Sequence, residues 1–114
     1  MLLYIKGWYL PLIDDGTKTT TIRLWKVCNL RPGRSLTFNG RIRVTLTRVD
    51  HRRLGDLTDD DARADGFSSR RALVRAIRLH YPGTSLDRMV WVLTFARPIR
   101  LRPSEKLSSH IRRA

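Results

Sequence analysis

The stretch GTKTTTIRLW, residues 16–25, places an amine, several hydroxyls and a guanidinium within a few positions of one another. Its β-branched run predicts a strand over Thr19–Trp25. If Ile22 and Leu24 face the core, strand alternation puts Thr21, Arg23 and Trp25 on the opposite face. Lys18 then stands at the mouth of the strand, just past a turn at Gly16. Such a set has three chemical uses. A lysine whose pKa is depressed by neighbouring cations can take a threonine proton and make a nucleophile. An arginine can hold a phosphate or the edge of a base. A tryptophan can stack on a base. On spacing alone a plainer account stands beside these, a solvated strand whose threonines are there for propensity.

Other chemistries are excluded by what the chain does not contain. His51, His80 and His110 are isolated, and no paired His or Cys has zinc spacing. No glycine-rich loop ends in Gly-Lys-Ser/Thr, and no Gly-x-Ser-x-Gly elbow is present. The aspartates at 59–61 look like a metal cluster, but a capped helix start explains them better. Neither a metal nor another cofactor is called for.

The charge is informative. Lys and Arg number 23 against 10 Asp and Glu, a net charge of +13, and arginine far outnumbers lysine. Six cations from Arg97 onward face one anion, Glu105, so +5 belongs to the C-terminal end and +8 to the remaining body. An excess carried by the fold itself points to a polyanion such as RNA. Compositional bias towards arginine is the competing account. With 114 residues and 41% hydrophobic content, one soluble domain is expected. A single cysteine, Cys28, fits a reducing compartment and reads as a small buried hydrophobe. MLLYIKGWYLPLI is too short to span a bilayer and lacks a charged leader and cleavage site, so the cytoplasm and no membrane are expected.

The elements that must position the chemistry follow from periodicity and turn chemistry. Met1–Lys6 reads as a strand, and GWYLPLIDDG as a short helix ended by Gly16, with Pro11 in its first turn. Trp8 and Tyr9 on that helix could wall a pocket or simply pack. Pro32-Gly33 and Asn39-Gly40 are turns around a short strand. In RIRVTLTRV, Ile42, Val44 and Leu46 share one face, and Val49 breaks the alternation, which predicts a bulge near Arg48. Thr58 caps a helix that Gly66 ends. A second helix runs from Ser68 or Ser69 to His80 with Leu73, Ala76 and Ile77 as its buried stripe. Its Arg71, Arg75 and Arg78 line another face, most simply a solvated one, with RNA backbone contact as the other reading. MVWVLTF is apolar on both faces, as a central strand is, and Pro98 is where it must end or become an edge. The order predicts an α+β fold whose mostly antiparallel sheet curls into a small barrel. The domain is expected over residues 1–102, with a basic tail over 103–114.

Gly16-x-Lys18-x-x-Thr21-x-Arg23 resembles the signature of the ASCH domain family, relatives of the PUA RNA-binding fold. LRPGRSLTF, RVTLTRVDHRRLGDLTDDDARADGFSS, HYPG and MVWVLTF occur in the family's order, so the resemblance covers roughly residues 1–97. It implies a small PUA-like β-barrel with short flanking helices and a basic cleft for RNA or a modified pyrimidine nucleoside. One bacterial branch of the family hydrolyses the acetyl amide of N4-acetylcytidine with a lysine, a threonine and a glutamate. By motif position these fall on Lys18 as base, Thr21 as nucleophile and Asp65 as the carboxylate, shorter than glutamate by one methylene. Gly16, Arg23, Trp25, Arg43 and Lys6 are the residues expected to bind substrate or RNA. A non-catalytic RNA-binding module, or an RNA-processing protein of ribonuclease type, is the alternative. Monomer and dimer are both compatible with the sequence.

Overall fold

A computed structural model describes residues 1–102. The expected basic tail, 103–114, lies outside the described residues. Five strands are present: β1 (Leu2–Leu3), β2 (Thr20–Arg23), β3 (Ser35–Phe38), β4 (Ile42–Arg53) and β5 (Met89–Arg100). Three α-helices join them: α1 (Leu10–Asp14), α2 (Asp59–Ala64) and α3 (Arg70–His80). Single 3-10 turns at Gly7–Tyr9 and Leu54–Asp56 lead into α1 and towards α2. No helix among the described residues is long and apolar enough to cross a membrane.

The strands form one sheet in the order β1-β3-β4-β5-β2. It is mixed, because β1 runs parallel to β3 while the other pairs are antiparallel. The expected barrel does not close, for β1 and β2 are the two edges and do not pair. With only two residues, β1 offers too little backbone to join β2. Asn39 takes over the chain just beyond it, its side-chain amide bonding both Ile5 N and Ile5 O at 2.9 Å. Across the open seam, one Arg23 Nη reaches the Tyr4 carbonyl at 3.3 Å.

Sequence periodicity sets the long central hairpin. Ile42, Val44 and Leu46 are buried on one face of β4, and the register slips between Leu46 and Arg48. This bulge returns Val49 to that face, against the same core. A second slip, opposite Arg97, allows β5 to continue past Pro98 to Arg100. Arg97 takes φ 57 there, so proline sits at a bulge where a ladder donor is not required.

β5 is apolar on both faces because it separates two cores. Leu93 and Phe95 pack with Leu3, Ile13, Leu36, Phe38, Ile42, Val44 and Leu46. Val90 and Val92 pack on the other side with Leu54, Leu57, Ala62, Leu73 and Val74, beneath α2 and α3. Cys28 is half-buried at the margin of the first core, less enclosed than its type predicts.

Candidate functional site

Two turns of chain set the site. Thr58 opens α2 with a capping box, accepting from Asp61 N while Asp61 accepts from Thr58 N. The helix ends in a Schellman turn, with Phe67 N bonded to Ala62 O and Gly66 N to Arg63 O. Gly66 takes φ 96, a conformation glycine adopts at little cost. Asp65 is therefore held as the C-terminal cap, with its carbonyl free of the helix ladder. The segment carrying Lys18 is stitched between helices: Lys18 N bonds Leu12 O within α1, and Thr19 N bonds Ala64 O at the end of α2.

These turns bring Lys18 and Asp65 together. Lys18 Nζ donates to Asp65 Oδ1 at 2.8 Å and to Asp65 O at 2.7 Å. Both residues are buried, with 3% and 5% of their surfaces exposed. Thr20 Oγ1 donates to the same Oδ1 at 3.2 Å. Burial holds the Lys18 amine below its ordinary pKa of 10.5, and the nearby Asp65 charge opposes that shift. Burial likewise pushes the Asp65 carboxyl above 3.8, against the pull of Lys18. Desolvation thus drives both members of the pair towards their neutral forms, the state in which a lysine can accept a proton.

The pair opens onto a cleft of about 810 Å³ along β2. Because β2 is an edge strand, residues from both its faces reach the cleft: Thr21, Arg23 and Trp25 from one, Ile22 and Leu24 from the other. Arg23 Nε donates to Thr21 Oγ1 at 3.0 Å. That contact leaves the hydroxyl proton of Thr21 free to be given up, and its positive charge would steady an alkoxide. The Arg23 guanidinium lies 5.9 Å from the Trp25 ring centroid, and burial lowers its pKa.

Aromatic groups form the remaining walls. The Tyr9 ring lies 5.0 Å from Lys18 Nζ and 6.1 Å from Phe67, and burial raises the Tyr9 pKa. Trp8, 67% exposed, and Tyr81, 57% exposed, stand at the rim with Lys6 and His80. The inner side of α3 contributes Leu73, Ala76 and Ile77. Among the described residues no group of three His, Cys, Asp or Glu could hold a metal.

The structure brings Lys18, Thr21, Asp65, Arg23, Trp25 and Lys6 to this one cleft. Gly16 is exposed in the turn behind it, with φ 83, and shapes the approach of Lys18 rather than lining the cleft. Arg43 stands apart. It projects outward from β4 opposite Ile99, at the end of the sheet built over the first core. Sequence reasoning missed Thr20, which bonds the carboxylate, and the walls supplied by Phe67, Ile77 and Tyr81. Alternation hints at Thr20, because Thr20, Ile22 and Leu24 share a strand face turned towards α2 and α3.

No protein-family model matches the chain, and no curated protein does. Solved structures do. Hypothetical protein PH0355 superposes with a TM-score of 0.72 at 19% identity, over 86% of this chain and 97% of its own. The ASCH domain from Lactobacillus crispatus JV V101 gives 0.67 at 15% identity, over 80% of this chain and 70% of its own. Protein EF3133 from Enterococcus faecalis V583 gives 0.57 at 15% identity, over 82% and 71%. The chain has the ASCH-domain fold, here with an open sheet.

Proposed function

We propose that the cleft binds RNA or a modified pyrimidine nucleoside and cleaves an exocyclic acetyl amide of the N4-acetylcytidine type. The observation that carries this reading is the buried Lys18–Asp65 pair sharing an aromatic-walled cleft with Thr21. A buried ion pair is a poor device for stability, since desolvation offsets most of its Coulomb gain. At the floor of a cleft, the same desolvation lowers the pKa of the amine, which favours proton transfer through it.

In the first step Thr21 Oγ bonds to the acetyl carbon while its proton passes to Lys18 Nζ. Arg23, donating to Oγ, favours the charged form of that oxygen. The C–N4 bond then breaks, Lys18 returns the proton to N4, and cytidine leaves an acetyl ester on Thr21. Water, deprotonated by the same amine, attacks the ester; the acyl C–Oγ bond breaks, Lys18 returns the proton to Thr21 Oγ, and acetate leaves. Asp65 holds Lys18 in place and exchanges a proton with it as the pair moves between its charged and neutral forms. Positioned acid–base catalysis of this kind contributes about 10²–10⁴-fold in rate.

The test is cytidine release from N4-acetylcytidine by the wild type, Lys18→Ala and Thr21→Ala. Release by the wild type and its loss in both variants supports the reading. No release at high enzyme concentration sinks it.

A second reading has its own support. Lys18 caps the C-terminus of α2 through the Asp65 carbonyl, a position that favours a cation without any chemistry. In a recognition module built this way, Thr21→Ala alters RNA affinity modestly and there is no turnover to lose.

A further inference from the structure

A second groove, of about 710 Å³, lies on the other side of α3. Arg70, Arg71, Arg75 and Arg78 line it, with Val74, Leu79 and Leu86 between them. Arg71, Arg75 and Arg78 follow the i, i+4, i+7 spacing of one helix face, so their Cα atoms rise about 6 and then 4.5 Å along the axis. Among the described residues none of the four guanidiniums is paired with a carboxylate. Asp59 accepts from the backbone N of Arg70 at 2.8 Å rather than from its side chain, and Arg78 Nε donates to Thr84 O. Arg70 Nε is shielded from solvent and has no acceptor among the described residues. Elsewhere Arg48, Arg52, Arg53, Arg63 and Arg100 each meet an aspartate, and the other described arginines without a carboxylate partner do not gather in one groove as these four do.

Leu79, on the crest of α3, lines both this groove and the cleft that holds Lys18 and Asp65. One helix therefore presents an apolar side to the cleft and a cationic side to the groove. We infer that the arginine side of α3 is a track for the phosphodiester backbone of single-stranded RNA, whose chain crosses the helix beside the cleft. The inference rests on the reading of the cleft as a site for RNA or its nucleosides, and extends it from one nucleotide to a strand. Four unneutralised guanidiniums in one groove complement a chain of phosphates, and guanidinium binds phosphate oxygens in pairs.

The experiment is a titration of a labelled, unmodified single-stranded RNA of about a dozen nucleotides, repeated over a range of salt. It compares the wild type with Arg71→Gln/Arg75→Gln, which spares Arg78 and its contact to the Thr84 loop. Single-strand binding loses about 0.7 in the slope of log K against log salt for each phosphate contact. The double variant is expected to bind more weakly and to show a slope shallower by about 1.4. An unchanged slope and affinity overturns the track, as does no RNA binding by the wild type at low salt. Displacement of the RNA by polyglutamate of equal length at equal concentration also overturns it, marking the groove as a dock for acidic protein. Cytidine release from free N4-acetylcytidine is measured on the same samples. Release kept with RNA binding unaltered defeats the track alone, while an arginine-dependent slope without release defeats the hydrolytic reading alone.

Discussion

Lys18 Nζ bonds two oxygens of a residue 47 positions away, the Asp65 carboxylate at 2.8 Å and the Asp65 carbonyl at 2.7 Å. One ammonium thus satisfies both a buried charge and a helix terminus. Removing either partner leaves the other without compensation. Asp65→Ala is expected to cost about 3–5 kcal/mol, the range for breaking a buried pair. Lys18→Met/Asp65→Leu, which removes both charges, should recover most of that loss. Urea unfolding of the three proteins checks it, and a double variant as unstable as Asp65→Ala would contradict it.

The directions of the two pKa shifts set a pH signature. Asp65 is raised above 3.8, so its contribution to stability is present at lower pH and is lost as pH rises through its folded value. Lys18 is lowered below 10.5, so its contribution is present at high pH and is lost as pH falls through its folded value. Relative to Lys18→Met/Asp65→Leu, the wild type is therefore expected to be least stable between these two windows. Denaturant midpoints of both proteins from acid to alkaline pH reveal the dip or its absence.

The same shift governs turnover. Amide hydrolysis should rise with pH and level off below the ordinary lysine value of 10.5. The Asp65 charge raises the Lys18 pKa, so any activity left in Asp65→Asn should level off at still lower pH. A pH profile of kcat for both proteins decides this, and an inflection moving upward would exclude Lys18 as the base.

Restoring the longer carboxylate is expected to harm this protein. Asp65 already meets Lys18 and Thr20 at hydrogen-bond distance in a buried position. Asp65→Glu adds a methylene to a buried carboxylate already in hydrogen-bond contact, which is expected to cost about 1–3 kcal/mol. Thermal unfolding is the check, and a higher midpoint would mean that the site has slack.

Trp8 is largely exposed at the cleft rim, with the Lys6 ammonium 5.8 Å from its ring centroid. Trp8→Ala should leave folding intact and weaken RNA binding by about 1–3 kcal/mol, the value of one base stacked on an aromatic ring. Equilibrium binding beside a melting curve separates that loss from general damage.

Elements governed by near neighbours were legible in the sequence. Thr58 and Gly66 bound α2, Ser69 caps α3, and the misplaced Val49 marks the bulge in β4. Two-sided apolarity marked β5 as central, and its two faces indeed meet two cores. Capping, turns and alternation act over a few residues, so a linear reading captures them. Closure of the sheet was not legible, because it depends on whether β1 and β2, neighbours in sequence but opposite edges in space, meet. Nor could spacing tell Thr20 from Thr21. Only the tertiary packing of α2 against β2 sends the first hydroxyl to Asp65 and leaves the second to Arg23. The types of group were written in GTKTTTIRLW and in Asp65, while their burial, and with it the direction of their pKa shifts, arose when the fold took them out of water.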